Sequence, residues 1–195
     1  MPSTKSLKGT EIEKFLAKAF AVESTAYTRY IYFAKSAKKE SYFYFEKIFK
    51  DTADNEMQHA NTFLEYLQEG TVVCDSIEVD PGILSPTAEN LKVAIHEEDI
   101  EGVQTYQQAA AIAQKEGFPE IAVRFRIIAG VESHHKERFE KMLQQVENGT
   151  VWKRDEPIAW QCMSCGYIFE GKEPPRKCPG CGKSFEHFMP EQDQM

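Results

Sequence analysis

Four long stretches of the chain place apolar residues at helical spacing, and each is closed by a break. The first, from about Thr10 to Lys38, sets Ile12, Phe15, Leu16, Ala19, Ala26, Tyr30 and Phe33 along one stripe. The second, from about Tyr42 to Gln68, carries Phe45, Phe49, Thr52, Phe63 and Leu67, and Gly70 stands where glycine commonly ends a helix. Thr71 to Ser85, with Pro81-Gly82 inside it, predicts an irregular crossover. Ser85-Pro86 then starts a third helix, with a capping hydroxyl and proline at the first helical position. Gly117-Phe118-Pro119 closes it and opens the fourth, where Ile121, Phe125, Ile128, Glu132, His135, Phe139, Met142 and Val146 alternate by four and three. Two short turns and one long crossover describe two antiparallel hairpins packed as an all-α four-helix bundle. The pattern stops after Gly149, and Lys153 to Pro157 forms a linker to a cysteine-rich tail. The expected units are therefore 1–150 and 157–195.

The informative residues are those that interrupt the stripes. Glu132 and His135 occupy successive core positions of the fourth helix. Glu23 follows Ile12 by close to three turns, and Glu56 lies seven residues from both Phe49 and Phe63, with His59 three further on. The midpoint of Glu23 and Glu56 falls in the Lys38–Ser41 turn, and that of Glu98 and Glu132 next to Gly117. Antiparallel helices folded at these turns bring each pair to one height. Each hairpin thus supplies a Glu on its first helix and a Glu-x-x-His on its second, at separations of 33 and 34 residues. This is the ligand set of ferritin-like di-iron and di-manganese bundles. A single Glu-x-x-His is usually surface, and the run Glu97, Glu98, Asp99, Glu101 reads equally as a solvated acidic face. But buried carboxylates without a cation are costly, and no Lys or Arg lies on these stripes near them, so metal ions must compensate. Oxygen and imidazole donors suit iron or manganese without choosing between them.

One residue breaks the doubling. Glu101 lies three after Glu98 on the same face, where Ala26 holds the equivalent place after Glu23. Four carboxylates balance two ferrous ions; a fifth better matches two ferric ions. Glu101 is therefore expected to bind in the oxidised state, and a solvated glutamate is the alternative. His134 points about 100° away from His135 and is not expected to be a ligand.

In the tail, Cys162-x-x-Cys165-Gly and Cys178-x-x-Cys181-Gly form two knuckles separated by 12 residues, a tetrahedral thiolate site for zinc or for one iron. By spacing alone a zinc ribbon is the commoner answer. Cys74 has no partner motif and is expected to be structural or incidental.

Composition narrows the partners. With 31 acidic against 23 basic residues and a net charge of −8, no basic cluster offers a nucleic-acid footprint. No apolar run approaches membrane-spanning length, and the first residues do not resemble a signal peptide, so no membrane partner and a cytoplasmic location are expected. In that compartment cysteines stay reduced, and paired motifs point to metal before disulfide.

Taken together, Glu23, Glu56-x-x-His59, Glu98-x-x-Glu101, Glu132-x-x-His135 and the two knuckles resemble rubrerythrin over nearly the whole chain, and the knuckles resemble those of rubredoxin, which favours iron in the tail. The resemblance implies a peroxidase that reduces hydrogen peroxide to water at a non-haem di-iron site. Its electrons would come from NAD(P)H through a separate reductase, or from rubredoxin, and enter at the four-cysteine iron. It also implies that one iron shifts between His59 and Glu101, that Tyr30 and Tyr106 hydrogen-bond ligand carboxylates, and that the protein is a homodimer with the tail of one chain near the di-iron site of the other. Ferroxidase or iron-handling activity is the alternative, and a binding module with a zinc tail is a third class.

Overall fold

The computed structural model describes residues 5–67, 70–74 and 86–193; the side chains of Glu101 and Asp193, and most of the expected crossover including Ser85, lie outside the described residues. Helix α1 (Glu11–Lys39) begins at Thr10, whose hydroxyl accepts from the Glu13 amide. Helix α2 (Phe43–Tyr66) returns beside it after a turn at Ser41, which has positive φ. Helix α3 (Thr87–Glu97), a π-helical segment (Glu98–Gln104) and helix α4 (Thr105–Lys115) form one uninterrupted rod. Helix α5 (Pro119–Glu147) closes the second hairpin after Gly117, also at positive φ.

Two local expectations change. Pro86 is the N-cap of α3 rather than its first helical residue, and the Thr87 amide is capped instead by Glu40 Oε1 at 2.8 Å, from the turn of the first hairpin. The arrangement is reciprocal. Glu116, the C-cap of α4, accepts from the Glu11 and Ile12 amides at 3.1 and 2.9 Å, capping α1. Each hairpin turn therefore satisfies the orphan amides of the other hairpin's first helix.

The second change is the π-helical segment itself. A wider i→i+5 turn absorbs one extra residue without disturbing the register on either side. At its end, the Thr105 amide and hydroxyl both donate to the Ile100 carbonyl five residues back. That one residue explains the unequal separations of 33 and 34 between the paired glutamates.

The bundle interior is layered. One apolar cluster, with Ile12, Leu16, Phe63, Phe118 and Phe125, fills the end near the α4–α5 turn. A second, with Phe33, Phe45, Phe49, Leu91 and Phe139, fills the end near the α1–α2 turn. Between them lies a layer of buried Glu23, Glu56, Glu98, Glu132 and His135.

The tail folds as a three-stranded antiparallel sheet of order β2–β1–β3: β1 (Ile158–Cys162), β2 (Ile168–Gly171) and β3 (Phe188–Pro190). Trp160 is its fully buried centre, paired with Phe169 and Pro190, and its indole donates to the Gly171 carbonyl at 2.9 Å. The sheet docks on the α1–α2 turn, where Trp152 stacks on Tyr42 (5.7 Å) and His187 meets Phe43 (4.3 Å). No helix among the described residues is long and apolar enough to cross a membrane.

Candidate metal centres

The mid-bundle layer brings Glu23, Glu56, His59, Glu98, Glu132 and His135 together. Two overlapping groups arise, Glu23–Glu56–His59–Glu132 and Glu56–Glu98–Glu132–His135, with ligand atoms inside each group within 4.8 Å of one another. Glu56 and Glu132 belong to both. Glu56 Oε2 lies 3.0 Å from His59 Nδ1, and its Oε1 lies 3.1 Å from His135 Nδ1. Glu132 does the same from the other side, at 2.9 and 2.8 Å. Glu23 approaches only His59 (3.9 Å) and Glu98 only His135 (3.6 Å). Each hairpin thus contributes the outer Glu and the His of one position, while the two Glu-x-x-His glutamates span both positions.

The donors fit cations better than they fit one another. Among the described residues, Glu56 Oε1, both oxygens of Glu132 and His135 Nδ1 are buried and make no hydrogen bond, although nitrogen and oxygen approach closely. They point into shared space. On its far side the His135 ring donates from Nε2 to Asn55 Oδ1 at 3.2 Å, which leaves Nδ1 free to bind a metal. His59 has no such support among the described residues and is 12% exposed in its side chain.

Electrostatics show what fills the role of cations in the protein alone. Burial, followed by the charges of Glu132 and Glu56, raises the Glu23 carboxyl well above the usual range. Burial also lifts Glu98 to about 8, with Glu56 and Glu132 adding to it against His135. For His59 burial works downward, but Glu132 and Glu56 overcome it and raise the ring to about 9. Burial is likewise overcome at Glu132, which the two imidazoles pull down to about 2. The cluster holds protons where it lacks metal, and metal binding would release them.

Two tyrosines cross between hairpins. Tyr30 on α1 donates to Glu98 Oε1 at 2.6 Å, and Tyr106 on α4 donates to Glu23 Oε1. Tyr30 is seven residues after Glu23, but Tyr106 is eight after Glu98, because the π-helical segment intervenes. Inside that segment Gly102 lies against the bridging position: a Cβ there would sit 2.5 Å from Glu132 Cγ. The Glu101 backbone belongs to the same segment, and its side chain lies outside the described residues.

The expectation that no Lys or Arg lies near these carboxylates is overturned. Arg29 is buried in α1, where it binds Glu97 Oε2 at 2.7 Å, and both line a cavity of about 20 Å³ with the clustered glutamates. Arg29 is already partnered by Glu97, so the cluster still needs cations of its own. Arg29, Asn55, Gly102 and the π-helical segment all escape a search for metal-binding residue types. The one sequence signal for any of them is the 33-versus-34 mismatch.

In the tail, Cys162 and Cys178 are buried while Cys165 and Cys181 are exposed. The sulfurs of Cys162 and Cys181 lie 3.7 Å apart, and those of Cys165 and Cys178 lie 3.5 Å apart. Metal–sulfur bonds of about 2.3 Å in a tetrahedron require sulfurs about 3.8 Å apart, so four thiolates fit one ion. Gly166 and Gly182, both at positive φ, turn each knuckle back so that its amide bonds the carbonyl of the knuckle's first cysteine at 2.8 Å. The Lys183 amide, aided by neighbouring thiols, lowers Cys181 to about 7. Cys74 is half-buried and outside both clusters, and His134 is exposed on the outer face of α5.

Comparison with known proteins agrees with both centres. The rubrerythrin family model matches residues 14–143 and 89–159, and the rubrerythrin rubredoxin-like domain matches 160–189. The chain is 44% identical to rubrerythrin of Porphyromonas gingivalis, covering 95% of this chain and 92% of that one. It is 38% identical to rubrerythrin of Nitratidesulfovibrio vulgaris over 94% and 96% of the two chains. A mixed-valence state of nigerythrin superposes with a TM-score of 0.60 at 25% identity, covering 97% and 91%. Desulfovibrio desulfuricans bacterioferritin, at 23% identity and a TM-score of 0.63 over 71% and 81%, shares the bundle fold. The cofactors expected from the sequence, a di-iron centre and one iron in four thiolates, are those of the matched domains. The chain belongs to the rubrerythrin family.

Proposed function

We propose that the protein is an oxidoreductase that reduces hydrogen peroxide to water, consuming two electrons and two protons per peroxide. In this reading Glu23, Glu56, His59 and Glu132 would hold one iron and Glu56, Glu98, Glu132 and His135 the other, with Glu56 and Glu132 common to both groups. Glu101 would serve as the additional carboxylate ligand, alternating with His59. Cys162, Cys165, Cys178 and Cys181 hold the third iron. The unit at 1–150 carries out the peroxide chemistry and the unit at 157–195 delivers electrons.

The observation that carries the reading is a pair of carboxylate–histidine groups sharing Glu56 and Glu132, on the same chain as a group of four cysteines. Storage or oxidation of iron needs no electron relay of its own. When bound, two ferrous ions supply two electrons and Lewis acidity to the oxygen–oxygen bond. The chain's own groups do the rest. Tyr30 and Tyr106 hold the outer carboxylates in place, each donating its hydroxyl proton in a hydrogen bond to one carboxylate oxygen. Asn55 orients His135. The cavity of about 20 Å³ has room for a water-sized occupant.

The supply of electrons follows from distance. The tail docks beside Phe43, and Glu56 lies 13 residues further along α2, about 20 Å at 1.5 Å per residue. That separation supports a homodimer in which the tail of one chain serves the di-iron site of the other, with NAD(P)H, through a separate reductase or rubredoxin, as the source. The five free cysteines suit a reducing cytoplasm.

The test is to reduce the iron-loaded protein anaerobically and add either peroxide or oxygen once. Reoxidation much faster with peroxide is expected. Faster reoxidation with oxygen would instead support a ferroxidase. A tail without the red colour of ferric iron in thiolates would defeat the relay.

A further inference from the structure

Where the third rod passes the cluster, acidic residues crowd together: Glu97, Glu98 and Asp99 are consecutive, and Glu101 follows. Of the described side chains in this run, Glu98 alone joins the metal-binding groups. The other two are each engaged by a cation from a neighbouring helix. Asp99 meets Lys136 at 2.8 Å near the surface. Glu97 meets Arg29 at 2.7 Å, and this pair is buried, with side chains 10% and 5% exposed.

The Arg29–Glu97 pair is unusual for two reasons. A buried ion pair seldom stabilises a fold more than apolar side chains of similar size would, so stability is a weak reason for having one. Its location is also specific: Arg29 and Glu97 line the same small cavity as Glu23, Glu56, Glu98 and Glu132, and among the described residues Arg29 is the only Lys or Arg in that lining. Without Arg29, the wall of the cavity would hold a buried carboxylate with its charge uncompensated, next in sequence to a ligand. Such an oxygen is a good donor to ferric iron.

We propose that Arg29 is a positioning residue that selects the ligand set: by holding Glu97 in a guanidinium ion pair, it keeps an extra carboxylate out of the di-iron site. The proposal rests on the di-iron reading above. It explains how a rod with neighbouring acids presents Glu98 rather than Glu97, and it gives a buried arginine beside an iron site a role other than charge balance. The planar fork of arginine suits such a hold, since it fixes a carboxylate in direction as well as in distance.

The experiment compares full-length iron-loaded wild type with Arg29→Gln and with Arg29→Gln/Glu97→Gln, using Mössbauer spectra, iron content and single-turnover reoxidation by peroxide. In Arg29→Gln, one of the two di-iron quadrupole doublets shifts and reoxidation slows by about tenfold or more, the usual size for disturbing a group that positions a ligand. The four-thiolate signal is unchanged. The double variant, which keeps two hydrogen-bonding side chains but has no carboxylate to release, returns both readouts to wild type. Identical spectra and rates in the single and double variants would overturn the proposal, because the effect would then not pass through Glu97. If Arg29→Gln does not fold, Arg29→Lys, which keeps the charge but loses the fork, shows the same doublet shift in part; a wild-type spectrum there overturns the proposal. Wild type that takes up only the four-thiolate iron would instead defeat the di-iron reading itself.

Discussion

The two hairpins carry the same chemistry on different backbones. Each offers a Glu, a Glu-x-x-His and a tyrosine, and each lends its turn glutamate as a cap to the other. Yet the first helix of the first hairpin is α-helical throughout, while its counterpart opens into a π-helical turn at Glu98. The difference shows where the site departs from its own symmetry. Ala26 stands three residues after Glu23, whereas the π-helical turn after Glu98 contains Glu101 and brings Gly102 against Glu132. The imidazoles differ too: His135 is anchored by Asn55, and His59 is not. The less anchored histidine is the one proposed to exchange with Glu101, so mobility at that position is consistent with the fold.

Five variants test how deep this resemblance goes, taken from the largest expected effect downward. Glu132→Ala removes a carboxylate that spans both positions, so iron should fall from about three ions per chain to about one, with the thiolate spectrum intact. Loss of a single iron would show that the two positions are independent. Gly102→Ala drives a methyl into Glu132, and overpacking should cost roughly 1–3 kcal/mol in chemical denaturation and lower di-iron occupancy. A tolerated Gly102→Ala would mean that the π-helical turn yields easily.

Asn55→Ala should weaken iron at the His135 position by about 10–100-fold, measured by competition with a chelator. The same loss at both positions would contradict the asymmetry of the histidines. The smallest effects belong to the reciprocal caps. Glu40→Ala and Glu116→Ala should each cost about 1 kcal/mol. That corresponds to a fall of roughly 2–4 °C in the melting temperature of the metal-free protein. Equal losses would confirm that the turns play matching parts.

Much of this was legible in the chain. Apolar periodicity gave four helical rods, because burial of a stripe every three or four residues leaves few alternatives. The midpoint arithmetic worked because antiparallel rods of equal rise must align residues equidistant from their turn, and Glu23, Glu56, Glu98 and Glu132 meet at one level. The cysteine spacing implied its tetrahedron for a similar local reason. Other features were hidden. The capping roles of Glu40 and Glu116 cannot be read from their turns, since a cap reaching from another hairpin leaves no local trace. Nor does spacing along the chain mark Arg29, which α1 buries.

The sequence by itself determined the rods, their pairing, the doubled Glu and Glu-x-x-His pattern and the thiolate knuckles. All of these follow from spacing along a chain of known rise. Tertiary structure decided which carboxylates span both positions, which acid in a crowded run is held away by arginine, and where a helix widens by one residue. These depend on what lies across the interior, and separation along the chain does not encode a neighbour from another hairpin.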